Sequence, residues 1–478
     1  MKIEAVLSSL DMSIMEWIDQ NKSVLFNAST QIWNFAELGL KEYKSSKLLV
    51  DLLKEEGFSI EMGVGGMPTA FVATWGEGKP VIGILGEYDA LPGLSQKVSG
   101  IKDQVENGGN GHGCGHNIFG VAGVGAAIAV KNAMEVNNIK GTIKFFGCPA
   151  EEILVGKVYM VRDGVFEDVD ACLTWHPGAV NSLWASSSLA ANSVKFTFHG
   201  KASHAATNPE SGRSALKAVQ LMDIGVQFLR EHIIDSVRIH STITVGGQEP
   251  NVIPDKAQIW YYIRAPIRKE VDEIYNRIVN IAKGAALMTE TNYEIDFLTA
   301  CYNMIPNKVI GNLLMENMKK VGPPKFDAND RKLADELVSS FGQVNKETVL
   351  KVSGAPLELV QFNLNETIVE PYDEGKVLAG STDVADVSWN VPTAQFNTAC
   401  VPIGTPVHSW QFVSAVGSGI GQKGMLMASK ILGLSAMNLL TNNKLLFAAK
   451  EEFESEIKRS GKYKSPLPAN IIPPFDHL

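Results

Sequence analysis

Three apolar segments of this chain each break off into residues that carry chemistry, and few folds accommodate that pattern. Val81–Leu85 runs into Gly86-Glu87-Tyr88-Asp89, 141–147 into Cys148-Pro149-Ala150-Glu151-Glu152, and 171–174 into Trp175-His176-Pro177. Apolar runs of this length, bounded by glycine and proline, read as buried strands. Segments predicted helical (118–130 and 157–163) separate them. The spacing therefore predicts parallel strands in one sheet with their carboxyl ends on a common edge, where open α/β sheets place their ligands. Asp89, Glu151, Glu152 and His176 are expected to meet there.

Between the first two segments lies Gly111-His112-Gly113-Cys114-Gly115-His116-Asn117. Glycine lets backbone approach a bound ion closely and adopt positive φ. A Cys-x-His pair cannot fill a tetrahedral site alone, because such a site needs four ligands. Partners are available at Glu152, at His176 and at His408 in Gly404-Thr405-Pro406-Val407-His408. Cys114, His116, Glu152, His176 and His408 overfill one tetrahedral ion, so the economical expectation is two divalent ions per chain. The thiolate suits zinc, and the carboxylate and open positions admit manganese. Two adjacent acids do not both serve one ion well. Glu151 is therefore expected to act as a general base toward water instead of as a ligand. His112 reads as structural and Cys148 as a neighbour of the site. Cys172, Cys301 and Cys400 read as core thiols. His199, His232, His240 and His477 read as ordinary polar residues.

The remaining chain reads as an α/β protein of two domains, as 478 residues suggest. Residues 10–57 show helical periodicity closed by Gly57. From about Ala191 the pattern becomes strand (192–199), helix (212–232), two strands (238–245, 256–264), helix (269–288) and strand (293–298). That βαββαβ order is the split, ferredoxin-like unit. The expected division is 1–190 for the first part of the catalytic domain, 191–305 for the insert and 306–478 for the second part. A polar stretch, 323–374, carries no expectation. Residues 395–401 read as a strand, 420–440 as a helix and the tail from Ser465 as extended. The formal net charge of −9 argues against a nucleic-acid surface. Five cysteines suit reduced thiols in a cytoplasmic protein. The N-terminus carries an early acid and does not read as a secretory signal. No run is expected to reach the roughly 18 apolar residues of a membrane span.

The motifs Gly-His-Gly-Cys-Gly-His-Asn, Gly-Cys-Pro-Ala-Glu-Glu and Thr-Trp-His-Pro resemble those of a family of metal-dependent amidohydrolases. Its members include auxin-conjugate hydrolases, aminoacylases and glutamate carboxypeptidase. Further matching stretches are 86–91, 106–108, 284–291, 381–384 and 404–411, so the resemblance covers nearly the whole chain. It implies a dinuclear catalytic domain with an inserted ferredoxin-like dimerisation domain, hence a homodimer or larger homo-oligomer. It implies Cys114, His116, Glu152, His176 and His408 as metal ligands and Glu151 as the base. His204, in Gly200-Lys201-Ala202-Ser203-His204, would act on the partner subunit's site. Asn251, in Asn-Val-Ile-Pro, and Arg264 would bind substrate. Where the carboxypeptidase branch has His-x-Asp, this chain has Glu87-Tyr88-Asp89, which puts Asp89 behind the ligands instead of among them. The implied reaction is hydrolysis of the amide bond of an N-acyl amino acid, with p-aminobenzoyl-glutamate as the leading substrate. A broader aminoacylase or dipeptidase is the alternative. A third reading is a non-catalytic protein that binds acyl-amino acids. A sister hydrolase subunit is a further expected partner.

Overall fold

A computed structural model describes residues 8–476, so His477 lies outside the described residues. In chain order the strands are β1 (Ser59–Met62), β2 (Phe71–Glu77), β3 (Val81–Glu87), β4 (Gly141–Cys148), β5 (Ala171–Gly178), β6 (Ser182–Trp184), β7 (Ala190–His199), β8 (Arg238–Val245), β9 (Lys256–Ala265), β10 (Asn292–Cys301) and β11 (Thr393–Ala399). They form a seven-stranded sheet ordered β1-β2-β4-β3-β5-β11-β6 and a four-stranded sheet ordered β10-β7-β9-β8. The chain divides into two compact units. One comprises 1–187, 305–378 and 386–464, and the other 188–304, 379–385 and 465–478. The tail from Ser465, expected to be extended, contains turns at 469–470 and 475–476 and groups with the inserted unit.

In the larger unit, β3, β4, β5 and β11 run parallel, and β2 runs antiparallel to β4. β3 is buried at every residue, as expected of a central strand covered on both faces. The helices His116–Val136 and Gly419–Thr441 pack together and are mostly buried. Both are long and apolar enough to cross a membrane by length and composition. This revises the expectation that no segment would reach that threshold. Here the apolar surface is spent on the protein core, which includes Val121, Val124, Ile431 and Leu434. Close helix–sheet packing depends on Gly120, where an added Cβ would come within 2.7 Å of the Glu87 carbonyl oxygen. The unassigned polar stretch holds a helix, Ala328–Ser353, broken at Gly342 (φ 75°). A further helix, Asn443–Ser460, follows the one expected at 420–440.

The smaller unit shows period-2 burial most clearly in β9. Ala257, Ile259, Tyr261, Ile263 and Ala265 face inward, and the residues between them do not. The inward set packs with Val194, Phe196 and Phe198 of β7 and with helices Ala215–Leu229 and Arg268–Thr289. All pairings in this sheet are antiparallel. The strand and helix order matches the βαββαβ expectation.

Candidate metal centre

The larger unit brings Asp89, Cys114, His116, Glu151, Glu152, His176 and His408 together. Cys114 sits before Gly115, whose φ of 84° opens the helix His116–Val136. A Cβ at Gly115 would lie 2.9 Å from the Pro177 ring, so this loop and the end of β5 can meet only over glycine. The Cys114 Sγ then lies 3.3 Å from His176 Nε2. His176 Nδ1 donates to the Pro177 carbonyl at 2.8 Å. A carbonyl only accepts, so the Nε2 lone pair faces the thiol. Burial, with the charge of His116, pushes His176 down to about 3 and keeps it neutral.

His116 is fully buried, and its Nδ1 lies 2.8 Å from Asp89 Oδ1. Asp89 therefore orients the imidazole and leaves Nε2 as the binding atom, a familiar arrangement for metal-ligating histidine. Burial opposes charge on His116, but the Asp89 carboxylate and Cys114 outweigh it and raise its pKa well above the ordinary value. On the other side of the centre, His408 Nε2 lies 3.2 Å from Glu152 Oε2. His408 has a positive φ of 55°, and its N–H donates to the Gly113 carbonyl at 3.1 Å. The two glycine-bearing loops are thereby tied together.

Among the described residues, sets with ligand atoms mutually within 4.8 Å include Cys114, His116 and His176, and Cys114, Glu152 and His408. Atoms bonded at about 2.0–2.3 Å to one tetrahedral ion sit roughly 3.3–3.6 Å apart, close to the pair distances above. His116 Nε2 and Glu152 Oε1 are buried and make no hydrogen bond among the described residues. Buried polar atoms are normally satisfied, so the donor set and its geometry fit divalent ions.

The turn carrying both glutamates is strained and pinned. Ala150 and Leu154 each have φ of 58°, a conformation that costs a non-glycine residue about 1 kcal/mol or more. Two buried carboxyl groups hold it. Glu42 Oε1 accepts from the Ala150 N–H at 2.8 Å, and Asp89 Oδ2 accepts from the Glu152 N–H at 2.9 Å. Glu42 was not among the residues singled out by sequence. Burial first, and then the charge of Asp89, push Glu42 up to about 8 from an ordinary 4.5. A carboxyl raised on folding contributes stability that is complete below about pH 4.5 and is lost as pH climbs toward 8. Glu42→Gln keeps an acceptor for Ala150 and removes the titration. Thermal melts between pH 5 and 8.5 should show the wild type losing stability faster than the variant, by up to a few kcal/mol. Parallel pH profiles would show that Glu42 is ionised throughout.

His112 is buried with Nε2 3.0 Å from the Ile32 carbonyl. All five cysteines are buried thiols outside any disulfide. In the smaller unit, His204 is exposed and its Nδ1 accepts from the N–H groups of Ala206 and Thr207 at 3.2 and 3.1 Å. The Ala205 N–H donates to the Asn251 carbonyl at 2.8 Å, so His204 and Asn251 belong to one loop pair. Arg264 lies elsewhere, near the far end of β9, with its guanidinium 5.3 Å from the Tyr262 ring. At about 3.3 Å per residue, the strand separates it from the Asn251 end by roughly 25 Å. One small substrate cannot touch Arg264 and the His204–Asn251 loop of the same subunit.

The M20 peptidase dimerisation domain model matches residues 190–289. Over 467 residues the chain is 41% identical to a p-aminobenzoyl-glutamate hydrolase subunit of Escherichia coli K12, covering 95% of this chain and 97% of that protein. The chain belongs to the M20 family of metal-dependent amidohydrolases and peptidases. The Xaa-Arg dipeptidase of Mus musculus is 29% identical over 469 residues, covering 95% of this chain and 94% of its own. Among solved structures, a dinuclear metal binding M20 peptidase from Bacillus subtilis superposes with a TM-score of 0.57 at 17% identity, covering 88% of this chain and 99% of its own. That likeness bears on the fold. This M20 protein is thus a hydrolase of amide bonds with residues grouped to hold metal.

Proposed function

We propose that this M20 enzyme hydrolyses N-acyl amino acids, with p-aminobenzoyl-glutamate, split to p-aminobenzoate and glutamate, as its leading substrate. The observation that carries the reading is the convergence of Cys114, His116, His176, Glu152 and His408 around Glu151. The full-length identity to the Escherichia coli hydrolase supports the choice of substrate. The five donors would hold two divalent ions, zinc or manganese. When bound, such ions lower the pKa of water and polarise a carbonyl.

The chain's own residues supply the rest. Glu151 accepts a proton from the attacking water as its oxygen bonds to the amide carbon. It returns that proton to the amine nitrogen as the C–N bond breaks. His204, acting from the partner subunit, donates toward the developing oxyanion, where preorganised charge has most effect. Asn251 shares that loop and would bind substrate with it. Arg264 offers a planar fork for a substrate carboxylate. Its separation from His204 and Asn251 supports a homodimer in which different subunits supply the two groups. Residues 191–305 would serve as the dimerisation and lid domain, with 1–190 and 306–478 forming the catalytic one. A sister subunit is consistent with the relative's name, and buried thiols outside any disulfide suit a cytoplasmic location.

The full-length match to a dipeptidase favours one second reading, cleavage of dipeptides. A hydrolysis screen should include p-aminobenzoyl-glutamate, other acyl-amino acids and Xaa-Arg dipeptides, with metal content measured on the same sample. The expected result is about two ions per chain and the highest kcat/KM on p-aminobenzoyl-glutamate. Preference for dipeptides would replace the substrate, and turnover without metal would remove the mechanism.

A further inference from the structure

Beneath the candidate metal centre lies a buried ion pair that the proposed mechanism does not use. Lys157 is fully buried in a short helix, Gly156–Arg162, among Val158, Tyr159, Met160 and Val161. Its Nζ lies 2.7 Å from Glu87 Oε1, and Glu87 is 1% exposed. Burying an ammonium and a carboxylate is expensive, and replacing such a pair by apolar residues is often neutral or stabilising. The pair is therefore poor evidence of a purely structural purpose.

The other oxygen of Glu87 points to the centre. Glu87 Oε2 lies 3.2 Å from His116 Nε2, the ring atom left to bind because Asp89 holds Nδ1. Two ligand atoms about 2.1 Å from one ion sit roughly 3.0 Å apart at octahedral angles and 3.4 Å at tetrahedral ones. The observed separation falls between these values, and His116 Nε2 makes no hydrogen bond among the described residues. Glu87, His116 and Glu151 form a third set of potential ligand atoms mutually within 4.8 Å. His116 is common to this set and to the set with Cys114 and His176.

We propose that Glu87 is a further ligand of the ion held by His116, and that Lys157 is the positioning residue that fixes its orientation. This rests on the two-ion reading above. Lys157 holds one carboxylate oxygen and so sets the direction of the other, toward His116. It also offsets one negative charge in a centre already rich in acids. A carboxylate oxygen beside imidazole makes this ion position harder than a thiolate–imidazole site and better suited to manganese than a set of softer donors would be.

The test uses metal-free full-length protein titrated with Mn²⁺ and, separately, Zn²⁺ by calorimetry, with elemental analysis of the loaded samples and melting curves of the metal-free ones. Glu87→Gln alone strands a buried Lys157, so the double variant Glu87→Gln/Lys157→Met is made beside it. Wild type should take up two ions. The double variant should fold, keep one ion at wild-type affinity and bind the other about 10–100-fold more weakly, with manganese affected more than zinc. Lys157→Met alone should keep both ions but lower the melting temperature of the metal-free protein, since Glu87 is then buried without its ammonium.

Two unchanged affinities in the double variant, with a restored melting temperature, would make the pair structural and overturn the inference. A wild type that binds no metal would instead remove the two-ion reading, and this inference with it.

Discussion

Glu151→Gln should abolish most turnover while leaving metal content and fold intact. The isosteric amide keeps the volume of a side chain held on a strained turn between Ala150 and Leu154, where the Leu154 N–H closes back on the Glu151 carbonyl at 2.7 Å. What it loses is the ability to take a proton. General acid–base groups contribute about 10²–10⁴-fold, and Glu151 is assigned to both water activation and leaving-group protonation, so kcat should fall by at least that range. Its Oε2 lies 4.0 Å from His116 Nε2, near enough that a ligand role is the competing assignment. Elemental analysis decides between them. Metal retained with kcat lost identifies a base, and metal lost identifies a ligand. A variant with near-normal kcat would move the proton transfer to another residue.

The second large effect concerns His204. It is exposed, its Nδ1 caps its own loop, and Nε2 remains to reach outward. His204→Ala alone should be nearly inactive if the histidine completes the partner's site, and so should Glu151→Gln. Mixing the two should restore activity, because a mixed dimer contains one site with both groups intact. With random exchange at equal amounts, about half the dimers are mixed and each has one good site of two. Recovery should then approach about a quarter of wild type. Native mass spectrometry of isotopically labelled protomers verifies exchange. Mixtures that exchange and stay inactive would exclude action across the dimer.

Much of this was legible in the sequence, for a physical reason. Strand β3 is buried at every residue and reads as a near-continuous apolar run, and β4 and β5 come close to one, β4 being interrupted at Lys144. Polar residues at their ends stand out against that background, and Asp89, Glu151, Glu152 and His176 could be placed from the sequence alone. The alternation in β9 exposed the second sheet just as directly. Glu87 lay within a quoted motif, yet nothing in its immediate neighbours distinguishes a ligand from a residue at the end of a strand. Lys157 did carry a signal, a lone lysine in Leu154-Val155-Gly156-Lys157-Val158-Tyr159-Met160, where an unpaired charge would be costly. Glu42 carried none, because an acid before a helix is ordinary and its partner Ala150 is 108 residues away. The helix Ala328–Ser353 escaped notice because the break at Gly342 interrupts its period and few of its residues are buried.

The placement of β11 has a consequence for biosynthesis. It pairs with β5 along Cys172–Gly178, although the whole inserted unit separates the two in the chain. During translation β5 emerges early, and its outer edge stays unclaimed until residues near 393 leave the ribosome. An unpaired strand edge is a template for misassociation, and parallel pairing at long sequence separation forms slowly. His408 follows β11 closely, so the centre is incomplete over the same interval while Cys114 and Cys148 already exist as thiols. Over that interval the nascent chain carries an open strand edge beside an unfinished centre, the condition under which misassociation competes with folding.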